Sequence, residues 1–323
     1  MRRRHVAQKG GGKNKMKTPW WFLHKTPIAF LLWPISVLYR IGARVIYMIR
    51  SIGAYKSRRP VICVGNILAG GVGKTPIVRE IARRIDAPIV MRGYKRSSQT
   101  ANIGDEASML ARDGYIVHTG DRKSNVILLD KQQSKIPIVM DDGFQNPTVA
   151  KTISILVFDE SIGFGNGFIL PAGPLRQSRR ALRRADAVIV IKSPNPRKNF
   201  SLPNIVPIFY ATPETISPYD SDTRVVAFAG IGYPGKFFRA LGGKVVATRS
   251  YPDHWQYTDK DLKKLCALAT RRNAKLVTTE KDWMRIPEHM RDEIKYARLN
   301  LKIDELFFKW LEEEINANTK TRN

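Results

Sequence analysis

Cysteine is scarce in this chain, whose 323 residues contain only Cys63 and Cys266. Neither has a partner at the spacing of a disulfide framework or of a cysteine metal site, so neither kind of cross-link organises the fold. We interpret both as core thiols, since free cysteine is among the most frequently buried residue types. No internal repeat of solenoid period is evident. The chain must therefore fold around hydrophobic cores, and its length suits about two domains.

Acidic residues are the second shortage. The chain has 28 Asp plus Glu against 55 Lys plus Arg, a formal net charge of +27, and no acidic residue precedes Glu80. With 43% hydrophobic and 26% charged residues, the composition is that of a globular protein. The positive excess predicts an anionic partner, which at this point is phosphate, nucleic acid or anionic lipid. Residues 1–18 are interpreted as a flexible polybasic segment that favours an anionic surface.

The segment 19–50 has little charge, but it contains no apolar run long enough to cross a bilayer. Its uncharged part, residues 26–39, has fourteen residues, whereas a spanning helix needs about 20. Arg40, Arg44 and Arg50 then alternate with aliphatic residues at intervals that keep one helix face basic and the other apolar. This pattern predicts a helix that lies in the membrane interface.

The segment 19–50 has two alternative interpretations. A cleaved signal peptide is disfavoured because the apolar stretch starts late and has no clear small-residue cleavage site. A buried helical hairpin broken at Pro27 and Pro34 stays open, since an apolar stretch of this length also fits a protein core. The amphipathic rings of Trp20, Trp33 and Tyr39 favour the membrane interface, where such rings accumulate.

A phosphate-binding loop is predicted after the apolar strand VICVG. The sequence LAGGVGKT at residues 68–75 precedes a helical pattern, and strand, glycine-rich loop and helix is the order that a phosphate cradle requires. Leu68 stands where the general pattern has its first glycine, so a glycine-rich turn with a chance GKT is the alternative. The residues assigned to nucleotide binding are Leu68, Ala69, Gly70, Gly71, Val72, Gly73, Lys74 and Thr75. Lys74 would reach the outer phosphates, and the Thr75 hydroxyl would hold Mg²⁺.

A pair of carboxylates supports the nucleotide site. Asp141 and Asp142 follow a short apolar strand, where a P-loop enzyme keeps its metal-binding aspartate. In an open α/β sheet the carboxyl ends of the strands face the ligand crevice. A DDG sequence alone is a common turn, but together with the upstream loop it predicts a nucleotide–Mg²⁺ site. Thr75, Asp141 and Asp142 are its candidate metal ligands.

These motifs, with six others, resemble those of the tetraacyldisaccharide 4'-kinases, the lipid A 4'-kinases of Gram-negative bacteria. The matching stretches are VGNILAGGVGKTP (64–76), RGYKR (92–96), GDEASML (104–110), DDGFQN (141–146), LPAGPLRQS (170–178), FAGIGYPGKFF (228–238), YPDHWQYT (251–258) and TTEKDWMRI (278–286). They follow the family's order over about residues 19–290, and the family's loop also lacks the first glycine. Departures are Asn146, Ala107 and Tyr233, where the family usually has His, Pro and Asn.

The resemblance implies a kinase that uses ATP and Mg²⁺. The acceptor it implies is the 4'-hydroxyl of an anionic glycolipid, tetraacyldisaccharide 1-phosphate, reached at the cytoplasmic face of the bacterial inner membrane by a peripheral or monotopic protein. A sugar hydroxyl is a weak nucleophile, so a carboxylate able to take its proton is chemically expected. Asp105 matches the family's proposed base and His254 its supporting histidine. From the residues alone, Asp105 also fits a helix N-cap.

Candidate substrate contacts lie in three of these motifs. Arg92, Tyr94 and Arg176 are candidates for holding the anionic parts of donor or acceptor, because arginine forks match phosphate oxygens. Gln145 is a candidate contact to the nucleotide or to metal-bound water. In the TTEKDWMRI motif, Glu280 and Lys281 are interpreted either as a structural ion pair or as ligand contacts.

The alternation of short apolar strands and helical patterns predicts an α/β fold. We expect a P-loop kinase-like, mostly parallel sheet domain at 51–210, a second, smaller α/β domain at 211–323, and an N-terminal membrane-associated helix at 19–50. The polar stretch 211–224 is interpreted as the linker. Since Asp105 and His254 fall in different domains, catalysis is expected to need closure of a cleft between them.

Two other functions remain open from the residues. A P-loop ATPase or GTPase that acts as a membrane-associated switch or metal-delivery protein would use the same loop, but it would not need the apolar N-terminal segment or the GDE motif. Nucleic-acid binding is suggested by the net charge, but no nucleic-acid-binding motif is recognised. We therefore expect no nucleic-acid partner and no obligatory protein partner.

Overall fold

The described part of the chain contains one sheet of eleven strands. The structure, a computed structural model, describes residues 19–92, 104–198, 200–232, 234–242, 244–253 and 255–320. Its strands are β1 (Val61–Gly65), β2 (Ile89–Met91), β3 (Val117–Thr119), β4 (Ile138–Asp141), β5 (Ile153–Asp159), β6 (Ala187–Ile191), β7 (Ile208–Ile216), β8 (Arg224–Ala229), β9 (Lys244–Ser250), β10 (Lys275–Thr279) and β11 (Ile294–Ile303). They lie in the order β3-β2-β4-β1-β5-β6-β7-β11-β10-β8-β9. Only the β7–β11 pair of this described sheet is antiparallel, so the predicted mostly parallel α/β class is confirmed.

Helices connect and cover these strands. They are α1 (Pro27–Leu31), α2 (Trp33–Ser51), α3 (Lys74–Arg84), α4 (Asp105–Arg112), α5 (Arg122–Asp130), α6 (Pro234–Ala240), α7 (Asp259–Arg271), α8 (Glu280–Trp283) and α9 (Glu305–Lys320). Short 3₁₀ helices occupy Trp20–Phe22, Arg179–Arg184 and Glu288–Met290. The helix expected after the phosphate loop is α3, and a helix begins at Asp105 as its interpretation as an N-terminal residue required.

The first half of the sheet is centred on β1, between β4 and β5. Every residue of β1 and β4 is buried, which explains their continuous apolar sequences, because a parallel sheet is covered on both faces. The helix α3 packs over this centre through Ile77 and Ile81, both fully buried. The carboxyl ends of β1 and β4 therefore meet at one edge, and the polar loops that follow them lie together.

The second half contains β8, β9 and β10 with α6 and α7, and its own core includes Phe228, Tyr257 and Leu262. It joins the first half through the antiparallel pair, in which Ala211 lies opposite Ile303 and Ile216 opposite Arg298. The stretch 211–224 was predicted to be a linker, but its first six residues belong to β7. That prediction is wrong there, because this polar segment is paired along an antiparallel strand.

The last helix returns to the first half. Phe307, Phe308 and Leu311 of α9 are buried in the same cluster as the residues of β1 and α3. The chain is thus not divided cleanly at residue 210, as the predicted domains 51–210 and 211–323 supposed. A C-terminal unit of residues 224–294 is flanked by two segments, β7 and 294–320, that both contact the first half.

The N-terminal segment forms two helices that meet near Leu32. On α2, Ser36 is buried and donates a hydrogen bond to the carbonyl of Ile169 at 2.8 Å. Most of the helix is exposed, including the large apolar side chains Leu38, Ile41, Val45 and Ile49. A buried hairpin, the alternative drawn from the sequence, is therefore wrong. Within the described residues, no helix has the length and apolar character needed to cross a membrane.

Some predictions on the fold need correction. The sequence patterns did not predict β3, α5, β11 or α9. Cys63 is fully buried as expected, whereas Cys266 is only partly buried. Residues 1–18, interpreted as a flexible basic segment, lie outside the described residues.

Replacing Phe307 with alanine tests whether α9 belongs to the first core. The Phe307 ring is fully buried and lies 5.4 Å from that of Phe209, so Phe307→Ala should lower the free energy of unfolding by about 3–5 kcal/mol. The matched control is Leu306→Ala, since Leu306 is 68% exposed; its effect should stay within about 0.5 kcal/mol. Urea denaturation followed by circular dichroism measures both. Equal effects of the two variants would contradict this assignment.

Candidate nucleotide-binding site

The loop between β1 and α3 has the shape of a phosphate cradle. Gly73 precedes the first turn of α3 with φ of 82°, in the left-handed region that favours glycine. A Cβ on Gly73 would lie 2.9 Å from Cδ1 of Ile191, so a larger residue would also have to displace the end of that side chain. Gly70 likewise has a positive φ, of 108°. The glycines at these two positions are required by the backbone conformation.

Leu68 has a structural role that explains its departure from the general pattern. Its side chain is buried, and it pairs with Leu175 in an antiparallel bridge. On either side, the amide of Ala69 donates to the carbonyl of Pro174 and the amide of Arg176 donates to the carbonyl of Ile67, both at 2.7 Å. The loop is thus anchored to the segment 174–176, and a core side chain at Leu68 serves that anchor.

Lys74 lies between the loop and the carboxylates. Its Nζ is 3.2 Å from Oδ1 of Asp142 and donates to Oδ1 of Asn66 at 3.2 Å. On the other side, Nη1 of Arg176 is 3.2 Å from Oδ2 of Asp142. Burial alone would raise the pKa of the Asp142 carboxyl, but the charges of Lys74 and Arg176 hold that pKa below its ordinary value. Asp142 is therefore ionised and paired with two cations.

Asp141 is in a different electrostatic environment. It ends β4, is 4% exposed, and its Oδ1 is buried without a hydrogen-bond partner among the described atoms. Burial, followed by the charge of Glu106, raises the pKa of Asp141 to about 7 although Lys74 opposes this. A buried polar atom without a partner is uncommon in folded proteins. The Asp141 carboxylate is therefore available to a cation.

Glu106, in the first turn of α4, is a site residue that sequence reasoning missed. Its Oε1 accepts a hydrogen bond from Nζ of Lys281, and its carboxylate lies close enough to the Thr75 hydroxyl for that contact to favour the ionised form. Burial would raise the pKa of Glu106, but the charges of Lys281 and Lys74 and the Thr75 contact outweigh burial and lower it. The GDE motif contains two carboxylates, Asp105 and Glu106. A catalytic role was predicted from this motif for Asp105 alone.

The oxygen atoms of Thr75, Asp141 and Glu106 fit a magnesium ion. Mg²⁺ keeps several waters and is held by one or two carboxylates together with substrate phosphates, rather than by a cage of protein ligands. In the described part of the chain, no group of three His, Cys, Asp or Glu side chains is arranged so that it could hold a metal ion. The oxygen of Asp141 that lacks a partner is the observation that favours a cation here.

The structure describes only some of the remaining predicted site residues. Nε2 of Gln145 donates to the carbonyl of Asn66 at 2.6 Å, so Gln145 supports the loop. Arg92 follows β2 and is exposed. Asp105 begins α4, but its side chain lies outside what the structure describes. Tyr94 and His254 lie outside the described residues altogether.

Arg122 is a second residue that no motif indicated. It is buried at the start of α5, and its Nη2 donates to the carbonyl oxygens of Asp141 at 2.8 Å and Asp142 at 3.1 Å. Burial and, more weakly, the charge of Arg92 lower the pKa of Arg122, whereas the two aspartates oppose this change. Arg122 thereby fixes the backbone that carries both carboxylates.

Glu280 and Lys281 do not pair with each other; each forms ion pairs with residues of other elements. Lys281 binds Glu106, as described above. Glu280 binds three arginines, on α3, α4 and β11. The neighbouring side chains thus point to different places, although both attach α8 to the elements that carry the site.

The fold and this geometry define a class of protein. A central parallel strand leads through a glycine-rich loop into a helix that starts at Lys74, and the neighbouring strand ends in a carboxylate. These are the parts with which P-loop proteins bind a nucleoside triphosphate and its cation. The described chain is therefore a P-loop nucleotide-binding protein with an added C-terminal unit.

Comparisons with known proteins identify the family. The family model described as LpxK, tetraacyldisaccharide-1-P 4'-kinase, matches residues 28–316. The tetraacyldisaccharide 4'-kinase of Paramagnetospirillum magneticum is 35% identical over 313 residues, covering 90% of this chain and 95% of that protein. The same enzyme of Phenylobacterium zucineum is 38% identical over 312 residues, covering 87% and 93%. The chain belongs to the tetraacyldisaccharide-1-P 4'-kinase family.

A solved structure agrees with this assignment. The crystal structure of LpxK from Aquifex aeolicus in complex with ATP has a TM-score of 0.69 and is 25% identical, covering 90% of this chain and 99% of that chain. The family resemblance drawn from the eight motifs is thus confirmed over nearly the whole sequence.

The variant Asp141→Asn tests how much the buried negative charge of Asp141 destabilises the folded protein. A folded-state pKa near 7 lies far above the ordinary value of about 4, so the folded protein binds this proton more tightly than the unfolded chain. Ionisation of Asp141 therefore lowers the stability of the folded protein as the pH rises from about 4 to 7. The full loss of stability is present above pH 7. In EDTA at pH 8, Asp141→Asn should raise the free energy of unfolding by roughly 1–3 kcal/mol, with little gain at pH 4.

The control for this measurement is Asp222→Asn, because Asp222 is 90% exposed in its surface pair with Lys244. Thermal unfolding of both variants across the pH range measures the effect. Adding Mg²⁺ with a non-hydrolysable ATP analogue should stabilise the wild-type protein more than the Asp141 variant. Destabilisation by Asp141→Asn in EDTA at pH 8 would contradict the proposed repulsion.

Proposed function

We propose that this chain is an ATP-dependent kinase that transfers the γ-phosphoryl group to the 4'-hydroxyl of tetraacyldisaccharide 1-phosphate, in lipid A biosynthesis. The single observation that carries the proposal is the convergence of the phosphate loop, Asp141 and Glu106 at the start of α4, in a chain of this family. A membrane-associated switch or metal-delivery protein would share the loop. Membership of the kinase family favours phosphoryl transfer.

ATP would bind along the loop 68–75. Backbone amides and the start of α3 favour the phosphate charge, and Lys74 neutralises the outer phosphates as the transition state gains negative charge on them. The ion pair between Lys74 and Asp142 holds the ammonium group near the loop before ATP binds. Arg176, on the other oxygen of Asp142, would lie beside the same phosphates. Both cations are therefore preorganised for an anionic ligand.

Mg²⁺ would be held by Thr75, Asp141 and Glu106. When bound, it neutralises phosphate charge and aligns the β- and γ-phosphates. Asp142 was also predicted as a ligand, and both of its oxygens face cations of the protein. We assign to Asp142 the orientation of Lys74 and Arg176, while coordination by it stays a prediction.

The sugar hydroxyl would be activated by Asp105. Its carboxylate takes the hydroxyl proton, the oxygen forms a bond to the γ-phosphorus, and the bond to the β-phosphate oxygen breaks to release ADP. Asp105 begins the helix whose next residue, Glu106, contacts Thr75, so the backbone of the proposed base is adjacent to the proposed cation site. His254 is assigned the supporting role that the family resemblance implies. Arg92 and Tyr94 stay candidates for the anionic acceptor.

The acceptor is a lipid, and α2 is suited to a membrane surface. Ser36, Ala43 and Tyr47 fall on one side of α2 by helical spacing, and Ser36 and Tyr47 contact the protein body. The side chains of Leu38, Ile41, Val45 and Ile49 fall on the opposite side and are exposed. An apolar face directed away from the protein fits insertion at the lipid interface. We infer peripheral or monotopic attachment at the cytoplasmic face of the inner membrane.

The direct test is an assay with labelled ATP, Mg²⁺ and tetraacyldisaccharide 1-phosphate in detergent micelles. A doubly phosphorylated lipid is the expected product, and it should appear with the disappearance of ATP in a one-to-one ratio. ATP hydrolysis without lipid phosphorylation would instead support a switch or metal-delivery protein.

Asp105→Ala should reduce kcat by orders of magnitude, because no carboxylate then accepts the hydroxyl proton. The dissociation constant of a fluorescent ATP analogue should change by less than about 3-fold, because the phosphate loop is intact. Asp113, in the same helix turn as Arg112, is part of a structural ion cluster, so it is a poor control. Exposed Asp222→Asn is the better one and should leave both quantities unchanged. An undiminished kcat would remove Asp105 as the base.

Substituting the apolar face of α2 should release the protein from membranes. The test variant replaces three of these four exposed side chains with serine: Leu38→Ser, Val45→Ser and Ile49→Ser. A matched triple variant carries the same change at exposed aliphatic side chains elsewhere: Ile116→Ser, Leu128→Ser and Leu306→Ser. Sedimentation with anionic phospholipid vesicles should fall at least about 10-fold for the first variant only, since each buried apolar side chain contributes to binding. Equal sedimentation of the two variants would place the lipid contact elsewhere.

A further inference from the structure

The short helix α8 extends from the C-terminal unit to the nucleotide site. Its N-cap is Thr279, whose Oγ1 accepts a hydrogen bond from the amide of Asp282 at 3.1 Å. Nζ of Lys281 donates to Oε1 of Glu106 in α4. Both side chains of this pair are 38% exposed. A charge of the C-terminal unit thus lies against a carboxylate that also contacts Thr75.

The residue before Lys281 anchors α8 in place. Glu280 is 6% exposed; its Oε2 lies 3.1 Å from Arg79, and its Oε1 lies 2.5 Å from Arg112 and 2.9 Å from Arg298. Arg79 belongs to α3 and Arg112 to α4, the two helices that begin at the nucleotide site. Asp113 shares the same arginines, at 2.8 Å from Arg298 and 3.3 Å from Arg79. This charge cluster fixes α8 relative to both helices.

We propose that Lys281 is a positioning residue for phosphoryl transfer, which acts by holding the Glu106 carboxylate beside Thr75. The inference rests on the proposed kinase function. A glutamate side chain has several rotatable bonds, and an ion pair from a fixed helix removes much of their freedom. Partners of this kind, one step removed from the reacting groups, orient the residues that bind them. Glu280 supplies the fixed position, and Lys281 supplies the contact.

An ordinary surface ion pair is the alternative reading of Lys281. Such a pair contributes at most about 1 kcal/mol to stability and has no effect on chemistry. Three features distinguish the Lys281–Glu106 pair from an ordinary surface ion pair. The residue next to Lys281, Glu280, is anchored by three arginines. Glu106 also contacts the Thr75 hydroxyl, and the charge of Glu106 raises the pKa of Asp141. Because the pair is partly exposed, its loss should leave the global fold intact, which makes the positioning role measurable.

Kinetics of Lys281→Met give the first test. The kcat should fall about 10- to 100-fold, while the KM for ATP changes by less than about 3-fold, because the phosphate loop and Lys74 are untouched. Lys281→Arg keeps a cation that pairs with Glu106 and should recover kcat to within about 5-fold of the wild-type value. The control is Lys263→Met, which removes an exposed lysine of α7 in the same unit and should leave kcat unchanged. A kcat within 2-fold of wild type for Lys281→Met would overturn the proposal.

A double-mutant cycle then tests whether Lys281 acts through Glu106. In the Glu106→Gln background the kcat is already reduced, and adding Lys281→Met should lower it by less than about 2-fold further. The same 10- to 100-fold loss in both backgrounds would mean that Lys281 acts independently of Glu106, and would overturn the positioning role.

Amide hydrogen exchange supplies a readout that does not depend on activity. The amide of Ser108 donates to the carbonyl of Gly104 at 3.0 Å in the first turn of α4. In nucleotide-free protein, residues 104–112 should exchange at least about 3-fold faster in Lys281→Met than in wild type or Lys263→Met, with exchange of β1 unchanged. Unchanged exchange would overturn the proposal, even for an active kinase. Faster exchange in a protein without lipid kinase activity would instead locate the failure in the proposed function.

Discussion

The site depends on one electrostatic constraint: the buried carboxylate of Asp141 lies close to two partly exposed carboxylates, those of Asp142 and Glu106. The charges of Glu106 and Asp142 raise the pKa of Asp141, and burial opposes ionisation of all three carboxyl groups. Such an arrangement persists only if cations surround it. Lys74 and Arg176 pair with Asp142, Lys281 pairs with Glu106, and Asp141 alone keeps an oxygen without a partner. The shortage of cations at Asp141 is the feature that supports the proposed Mg²⁺ site.

The fold supplies those cations from distant parts of the chain. Lys74 begins α3, Arg176 follows the strand-like contact with Leu68, and Lys281 comes from the C-terminal unit. Arg122 adds no ion pair within hydrogen-bonding distance of the carboxylates, but it donates to the two carbonyl oxygens at the end of β4. Parallel strands make this convergence simple, because the carboxyl ends of β1 and β4 open on the same edge.

The sequence alone predicts correctly those features that depend on neighbouring residues in the chain. The glycine positions follow from φ values at Gly70 and Gly73, and the buried strands β1 and β4 follow from continuous apolar runs. It failed where the cause is tertiary. The segment that includes β7 has proline, threonine and glutamate typical of a loop, but β11 pairs with it and makes it a strand. Likewise, nothing near Arg122 or Lys281 in the sequence indicates the carbonyls or the carboxylate that they meet across the fold.

Ion pairs around Glu280 join α8 of the C-terminal unit to α3 and α4. A buried ion cluster adds little net stability, because desolvation offsets most of the attraction. It does, however, penalise any shifted arrangement strongly, since a displaced arginine or glutamate would be buried without a partner. An apolar seam would tolerate a small slide of α8 at little cost. With three guanidinium groups converging on one carboxylate, α8 has one favourable register, and in that register the next side chain meets Glu106.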